Sequence, residues 1–179
     1  MIQFILILLI IVALTLGTDL IQRRLPAPWS GFLLRTAFIV YLAGNLYFTL
    51  FSRVSNTGTY VDLRPFGTYL RMFETVEVDF QNVSGFAALF LKDVSPFTSI
   101  ALNILLYYPL GYLLLVLFPR LKGWQIILIG LGASLCTESL QYFLRMGWFE
   151  MDDLINNTLG TAIGLMVRQV QARHPLQRK

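Results

Sequence analysis

Five stretches of this chain are almost continuously apolar: about 2–21, 29–51, 96–118, 124–144 and 153–171. Each is close to the roughly 20 residues that a helix needs to cross the hydrocarbon core of a bilayer. The first is interrupted only by Asp19 near its end. Its start, Met1-Ile2-Gln3-Phe4, carries no positive charge, so it reads as a retained helix and not as a signal peptide. The second holds Arg35 near one end and Asn45 inside, and the third holds Pro109 and Gly111. The fifth is the least apolar and ends at Arg168, whose long stem suits an interfacial position. The 44 residues between segments two and three, 52–95, are too many for a plain turn. Within them, Leu63 to Phe73 predicts a short helix with Pro65 at its start. Gly85 to Leu91 is too apolar for water and too short to span, which predicts interfacial or re-entrant structure; the alternative is a loose loop.

Composition agrees with the pattern. Of the 179 residues, 56% are hydrophobic and 13% charged, with a mean hydropathy of +0.64. Soluble domains are about 45–50% apolar and about 25% charged, so the polar surface here is too small to cover a globule. The expected class is an all-α integral membrane protein with five transmembrane helices and no separate soluble domain. Lysine and arginine set the orientation. With the N-terminus outside and the C-terminus inside, the clusters Arg23–Arg24, Arg120–Lys122 and Arg168–Lys179 are cytoplasmic, together with Arg35. Connection 52–95 and the turn at Arg145 are then external and hold eight of the ten acids. Residues 172–179 form a basic cytoplasmic tail.

The chemistry on offer is narrow. One cysteine, Cys136, excludes an internal disulfide and a cysteine metal cluster, and it reads as a small buried residue. One histidine, His174, lies among tail charges and supports neither a triad nor a His-rich zinc site. No phosphate-cradling G-x-x-x-x-G-K-[ST] or G-x-G-x-x-G run is present. The tryptophans, Tyr107 and Tyr108 read as packing and interfacial anchors.

What remains is a set of polar side chains at one depth. At about 1.5 Å per residue, Asn45, Asn103 and Glu138 lie roughly 9–10 Å below the outer boundary, and Gln141 and Asn157 roughly 5–6 Å. Ser134, Glu138, Gln141 and Arg145 form one helical stripe. Asp153, Asn157, Gly160 and Gly164 form another, whose glycines invite close approach of a helix within or between chains. Glu138 is the sharpest residue. A carboxylate in an apolar span costs about 2.5–3.5 kcal/mol or more and normally faces a cavity with a partner. Arg145, Arg64 and Arg53 are candidate partners; the alternative is a neutral, hydrogen-bonded tie between helices. Asp152 and Asp153 are either part of the polar site or an acidic pair favoured at a helix N-terminus.

Three motifs occur in order: Asn103-Ile-Leu-Leu-Tyr-Tyr-Pro109-Leu-Gly111, Glu138-Ser-Leu-Gln141, and Asp152-Asp153-Leu-Ile-Asn156-Asn157-Thr158-Leu-Gly160-Thr-Ala-Ile-Gly164. Together with Asn45 to Arg53 and Leu63-Arg64-Pro65-Phe66, they resemble the VanZ-like family over about residues 36–168. Tyr108 stands where an aliphatic residue is common, and Glu150 where an aspartate is frequent. The resemblance implies a membrane domain over 29–171, with the helix at 1–21 outside the core, in a bacterial cytoplasmic membrane. The family's namesake lowers susceptibility to the lipoglycopeptide teicoplanin without altering peptidoglycan termini.

Three functions are then in competition. The first is an outer-leaflet pocket that binds or modifies an amphiphile: a lipid-linked cell-wall precursor, a phospholipid headgroup or a lipoglycopeptide. Arg53, Arg64 and Arg145 would hold phosphate or carboxylate. Asn103, Gln141, Asn157 and Asp152 would bind headgroup or sugar atoms. Glu138 or Asp153 would be the general base if the protein is an enzyme. No cofactor is required, although Glu138, Glu150, Asp152 and Asp153 could hold a divalent cation. The second function is a non-catalytic helper of cell-wall enzymes, and the third a small transporter. Nucleic acid is not an expected partner, and oligomeric state is open.

Overall fold

A computed structural model describes residues 2–51, 60–74 and 95–173. Its elements run α1 (Ile2–Arg24), α2 (Ala27–Phe51), β1 (Val61–Asp62), α3 (Gly67–Glu74), α4 (Ser95–Leu117), α5 (Gly123–Phe143), β2 (Phe149–Glu150) and α6 (Met151–Arg173). All five apolar segments are helices. Proline marks several ends: Pro26 separates α1 from α2, and Pro119 follows α4. At the start of α5, the Gln125 side chain accepts the Lys122 backbone N–H at 2.8 Å, satisfying a donor that the helix leaves open.

Among the described residues, three helices are long and apolar enough to cross a membrane: Ala27–Leu50, Phe97–Leu117 and Gly123–Phe143. Three of the five spans expected from the pattern thus meet this criterion of length and composition. α6 has the length, 23 residues, but its first half carries Asp152, Asp153, Asn156 and Asn157, all buried. Those side chains lower its hydropathy because they face protein, whereas hydropathy treats every side chain as exposed to lipid. The outer surface tells the complementary story. Leu9, Val12 and Leu16 on α1, Phe32 and Ile39 on α2, and Leu128 and Leu135 on α5 are exposed. So much contiguous apolar surface suits hydrocarbon and not water. Trp29, Trp124 and Trp148 are exposed near the ends of α2 and α5, where interfacial anchors belong. Cys136, expected to be buried, is exposed on α5 because its position faces away from the bundle.

α6 is the centre of the bundle and packs against α4 and α5. In lipid, apolar burial gives little drive for helix association, so close backbone approach and hydrogen bonds matter more. A Cβ on Gly160 would lie 2.2 Å from the Ile104 carbonyl oxygen, and one on Gly164 would lie 2.0 Å from that of Tyr108. Only glycine permits this contact with α4. From the other side, Gly111 of α4 faces the Thr161 carbonyl and Gly130 of α5 faces the Thr161 side chain. Tyr107, Leu110, Leu114, Ile126 and Leu165 form a dry core around these contacts. Pro109 removes one donor from the α4 ladder. The nearby Leu106 carbonyl is held from outside, by Tyr41 Oη at 2.8 Å and Asn45 Nδ2 at 3.1 Å from α2. Asn45 is thereby a tie between helices.

Two short pieces outside the bundle were not legible in the pattern. β1 and β2 pair in parallel, Val61 with Phe149 and Asp62 with Glu150. α3 starts two residues later than Pro65 suggested, after Phe66 adopts a left-handed φ of 62°. Gly85 to Leu91 and His174 lie outside the described residues.

Candidate functional site

The polar end of the bundle is built on a register between two antiparallel helices. Asn157 Nδ2 of α6 donates to Ser134 Oγ of α5 at 2.9 Å. One turn further along each helix, toward the β1–β2 pair, stand Asp153 on α6 and Glu138 on α5. Both carboxylates are buried, at 3% and 1% exposure. Asn103 of α4 donates through Nδ2 to Asp153 Oδ1. Glu138 Oε2 accepts the Glu150 backbone N–H at 3.4 Å, which ties α5 to the start of α6. Gln141, a turn beyond Glu138, donates through Nε2 to the Thr49 carbonyl of α2 at 2.9 Å. Four helices thus contribute to one cluster.

Two atoms in the cluster accept nothing among the described residues: Gln141 Oε1 and Asn157 Oδ1. Their side chains are 0% and 3% exposed. A buried acceptor without a donor costs about 1–3 kcal/mol, so a pair of them asks for an explanation beyond helix packing.

A second layer fixes α3 over this end. Asp152 Oδ1 and Oδ2 accept the backbone N–H groups of Phe66 and Thr68, each at 2.6 Å. This carboxylate caps α3, a helix 84 residues earlier in the chain, and not only its own helix. Tyr69 Oη donates to Asn156 Oδ1. The Tyr69 phenol is pushed above its ordinary range, first by burial and then by the Asp152 charge. Asp62 accepts the Arg64 backbone N–H at 3.1 Å and its guanidinium Nε and Nη2 at 2.9 Å each. That pairing raises the Arg64 pKa still further above its ordinary value.

Of the residues expected in the site, Asn103, Glu138, Gln141, Asp153 and Asn157 come together. Asp152 is adjacent but turned to the α3 backbone. Arg64 leaves 68% of its side chain exposed and pairs with Asp62, not in the buried set. Arg145 departs from the stripe that spacing gave it. α5 ends at Phe143, and Arg145 sits in a left-handed turn with φ 57°. Its N–H bonds the Tyr142 carbonyl and the next N–H bonds that of Gln141, a Schellman closure with arginine where glycine is usual. The side chain is exposed. Arg53 lies outside the described residues. No group of three or more His, Cys, Asp or Glu among the described residues is placed to hold a metal ion. The divalent-cation arrangement of Glu138, Glu150, Asp152 and Asp153 therefore has no geometry, because Asp152 faces away. Sequence reasoning missed Asp62, Tyr69 and Asn156. Asn156 had a signal, since it is adjacent to Asn157; the other two depend on a fold-back invisible in local pattern.

Beside the cluster lies an apolar groove of about 450 Å³ between α1, α2 and α4, walled by Ile11, Leu14, Val40, Phe48, Leu105 and Pro109. Its polar members, Tyr41 and Asn45, are already bonded to Leu106. Asn45 is one turn from Thr49, whose hydroxyl donates to the Asn45 carbonyl at 2.8 Å and whose carbonyl receives Gln141. Groove and cluster are therefore neighbours along α2.

The model of the VanZ/LLP1 family matches residues 38–170. The match begins within α2, leaving α1 outside it, and includes every residue of the cluster. No curated protein and no solved structure matches the chain.

Proposed function

The chain belongs to the VanZ/LLP1 family, and from that premise we propose that its buried polar cluster receives the headgroup of an amphiphilic cell-envelope molecule. The molecule is a lipid-linked cell-wall precursor, a phospholipid or a lipoglycopeptide, and its capture lowers susceptibility to teicoplanin. In this reading the chain crosses the bacterial cytoplasmic membrane five times, N-terminus outside, with the cluster in the outer leaflet. The distribution of lysine and arginine supports that orientation. The groove between α1, α2 and α4 takes an acyl tail. Its size falls within the roughly 300–1,000 Å³ of small-molecule sites, and at its wall the Tyr41 hydroxyl and Asn45 Nδ2 are both bonded to the Leu106 carbonyl.

The observation that carries the reading is the meeting of Asn103, Glu138, Gln141, Asp153 and Asn157 from three helices, with two buried oxygens that accept nothing among the described residues. A transport path is less well supported. It would have to cross the dry layer of Leu110, Leu114, Ile126 and Leu165. The test is teicoplanin susceptibility of cells carrying Glu138→Gln or Asp153→Asn, with protein level and folding checked. Loss of protection by both variants is expected. Protection retained by both would refute the polar-site reading. Purified lipid precursors left unchanged after incubation with the folded protein would assign binding without turnover.

A further inference from the structure

The polar cluster is shut in this structure. Asn103, Glu138, Gln141, Asp153 and Asn157 are at most 5% exposed, so a molecule arriving from outside reaches them only after part of the protein moves. The element placed to move is α3. It lies on the first turns of α6, at the neighbours of that helix's two cluster members: Asp152 beside Asp153, and Asn156 beside Asn157. Its ties there are polar. Asp152 accepts the Phe66 and Thr68 N–H groups, and Tyr69 Oη donates to Asn156. The two-residue pairing of β1 with β2 anchors the chain just before it. Among the described residues, the apolar cores of the bundle hold none of α3. An element held by a few polar bonds opens at lower cost than a helix packed into the core.

Two further features fit an element that moves. Phe66 has a left-handed φ of 62°, which is strained for an aromatic residue, and its N–H is one of the two that Asp152 holds. Asp152 thus keeps a strained backbone in place, and its release relaxes the residue at which α3 begins. The other face of α3 is apolar: Phe66 and Leu70, one turn apart, are exposed, as is Leu63. Such a face suits the bilayer interface, where a lipid headgroup arrives. We propose that α3 is a lid over the polar cluster, clasped by Asp152, and that it lifts to admit the headgroup. This rests on reading the cluster as a headgroup site. Reclosure then shuts the bound group away from water.

The experiment reads access to the cluster in the purified full chain in detergent, with Cys136→Ser removing the exposed native thiol. One thiol is placed at the acceptor of Asn157 by Ser134→Cys, and another in the dry core by Ile126→Cys; both positions are 0% exposed. Each variant is treated with the small neutral reagent 2-hydroxyethyl methanethiosulfonate, and modification is followed by intact mass. With the lid intact, the Ser134→Cys thiol is expected to react slowly but to completion. Adding Asp152→Asn should speed it about tenfold, the order expected from weakening a helix cap, and leave Ile126→Cys unchanged. Gln141→Cys serves if Ser134→Cys does not fold, and Tyr69→Phe if Asp152→Asn does not. An unchanged rate on loosening the clasp would overturn the lid. So would equal acceleration at Ile126→Cys, which would make the clasp a tie of the whole bundle, or a cluster thiol that never reacts while the lid is intact. The labelling uses no lipid, so its outcome separates from that of the headgroup site. Unchanged labelling with teicoplanin protection lost in Glu138→Gln rejects the lid and keeps the site; faster labelling with protection retained upholds the lid and rejects the headgroup.

Discussion

At the residue scale, Asp152 shows how much a single side chain decides. It joins α6 to α3 through two short bonds from backbone N–H groups, and charge-assisted bonds of this kind are roughly twice as strong as neutral ones. Asp152→Asn leaves one oxygen to accept where two did, and is expected to cost about 1–2 kcal/mol at the α3 start. Hydrogen exchange would read this as lost protection at Phe66 and Thr68 with α4 to α6 unchanged. Tyr69 adds a pH dependence. Its phenol titrates later in the folded chain than in the unfolded one, so folding favours the protonated form. The stabilisation is present below about pH 10, where a free tyrosine ionises, and is lost as pH rises through the raised value. Thermal midpoints should fall more steeply above that pH in the wild type than in Tyr69→Phe. Glu138 was legible because a carboxylate in an apolar stretch has few reasons to be there. Arg145 was misplaced because its stripe assumed that the helix continued. A closure with a left-handed residue two positions beyond Phe143 turns it away, and arginine gives no local sign of that.

At the scale of elements, the helices were legible because apolar length and punctuating proline are local properties. The start of α3 was missed by two residues, and the β1–β2 pair was missed entirely. Its partners are Val61–Asp62 and Phe149–Glu150, two residues each and far apart in sequence, so nothing in either neighbourhood announces the other. The glycine face of α6 was legible as spacing, and the structure gives it a partner, α4. A larger residue there must push apart two backbones that cannot yield like a flexible side chain. Gly164→Leu is expected to destabilise the bundle by several kcal/mol, on the order of severe core overpacking. Gly17→Ala in α1 is the control, since its Cβ would meet nothing within 4 Å, and it should leave the thermal midpoint unchanged or slightly raised.

At the scale of the whole molecule, polar and apolar residues exchange their usual places. Aspartate, glutamate, asparagine and glutamine are drawn to the centre at one end, while leucine, isoleucine and phenylalanine face outward. That inversion makes a membrane bundle with a buried polar cluster the economical account of the fold, and Asn45 at the wall of the apolar groove lies one helical turn from Thr49, whose carbonyl holds Gln141 of the cluster. The convergence of Asn103, Glu138, Gln141 and Asn157 could be read from depth along each helix, which had also included Asn45, and Asp153 from its stripe with Asn157. That the Gln141 and Asn157 oxygens meet no donor among the described residues could not, because a missing partner shows only in three dimensions. The central claim is that this polar cluster receives a headgroup, and the most direct test is mass spectrometry of the lipid retained by the protein purified in mild detergent. The account predicts a bound amphiphile on the wild type that is absent from the folded Glu138→Gln, Asp153→Asn double variant; the same lipid on both, or none on either, would contradict it.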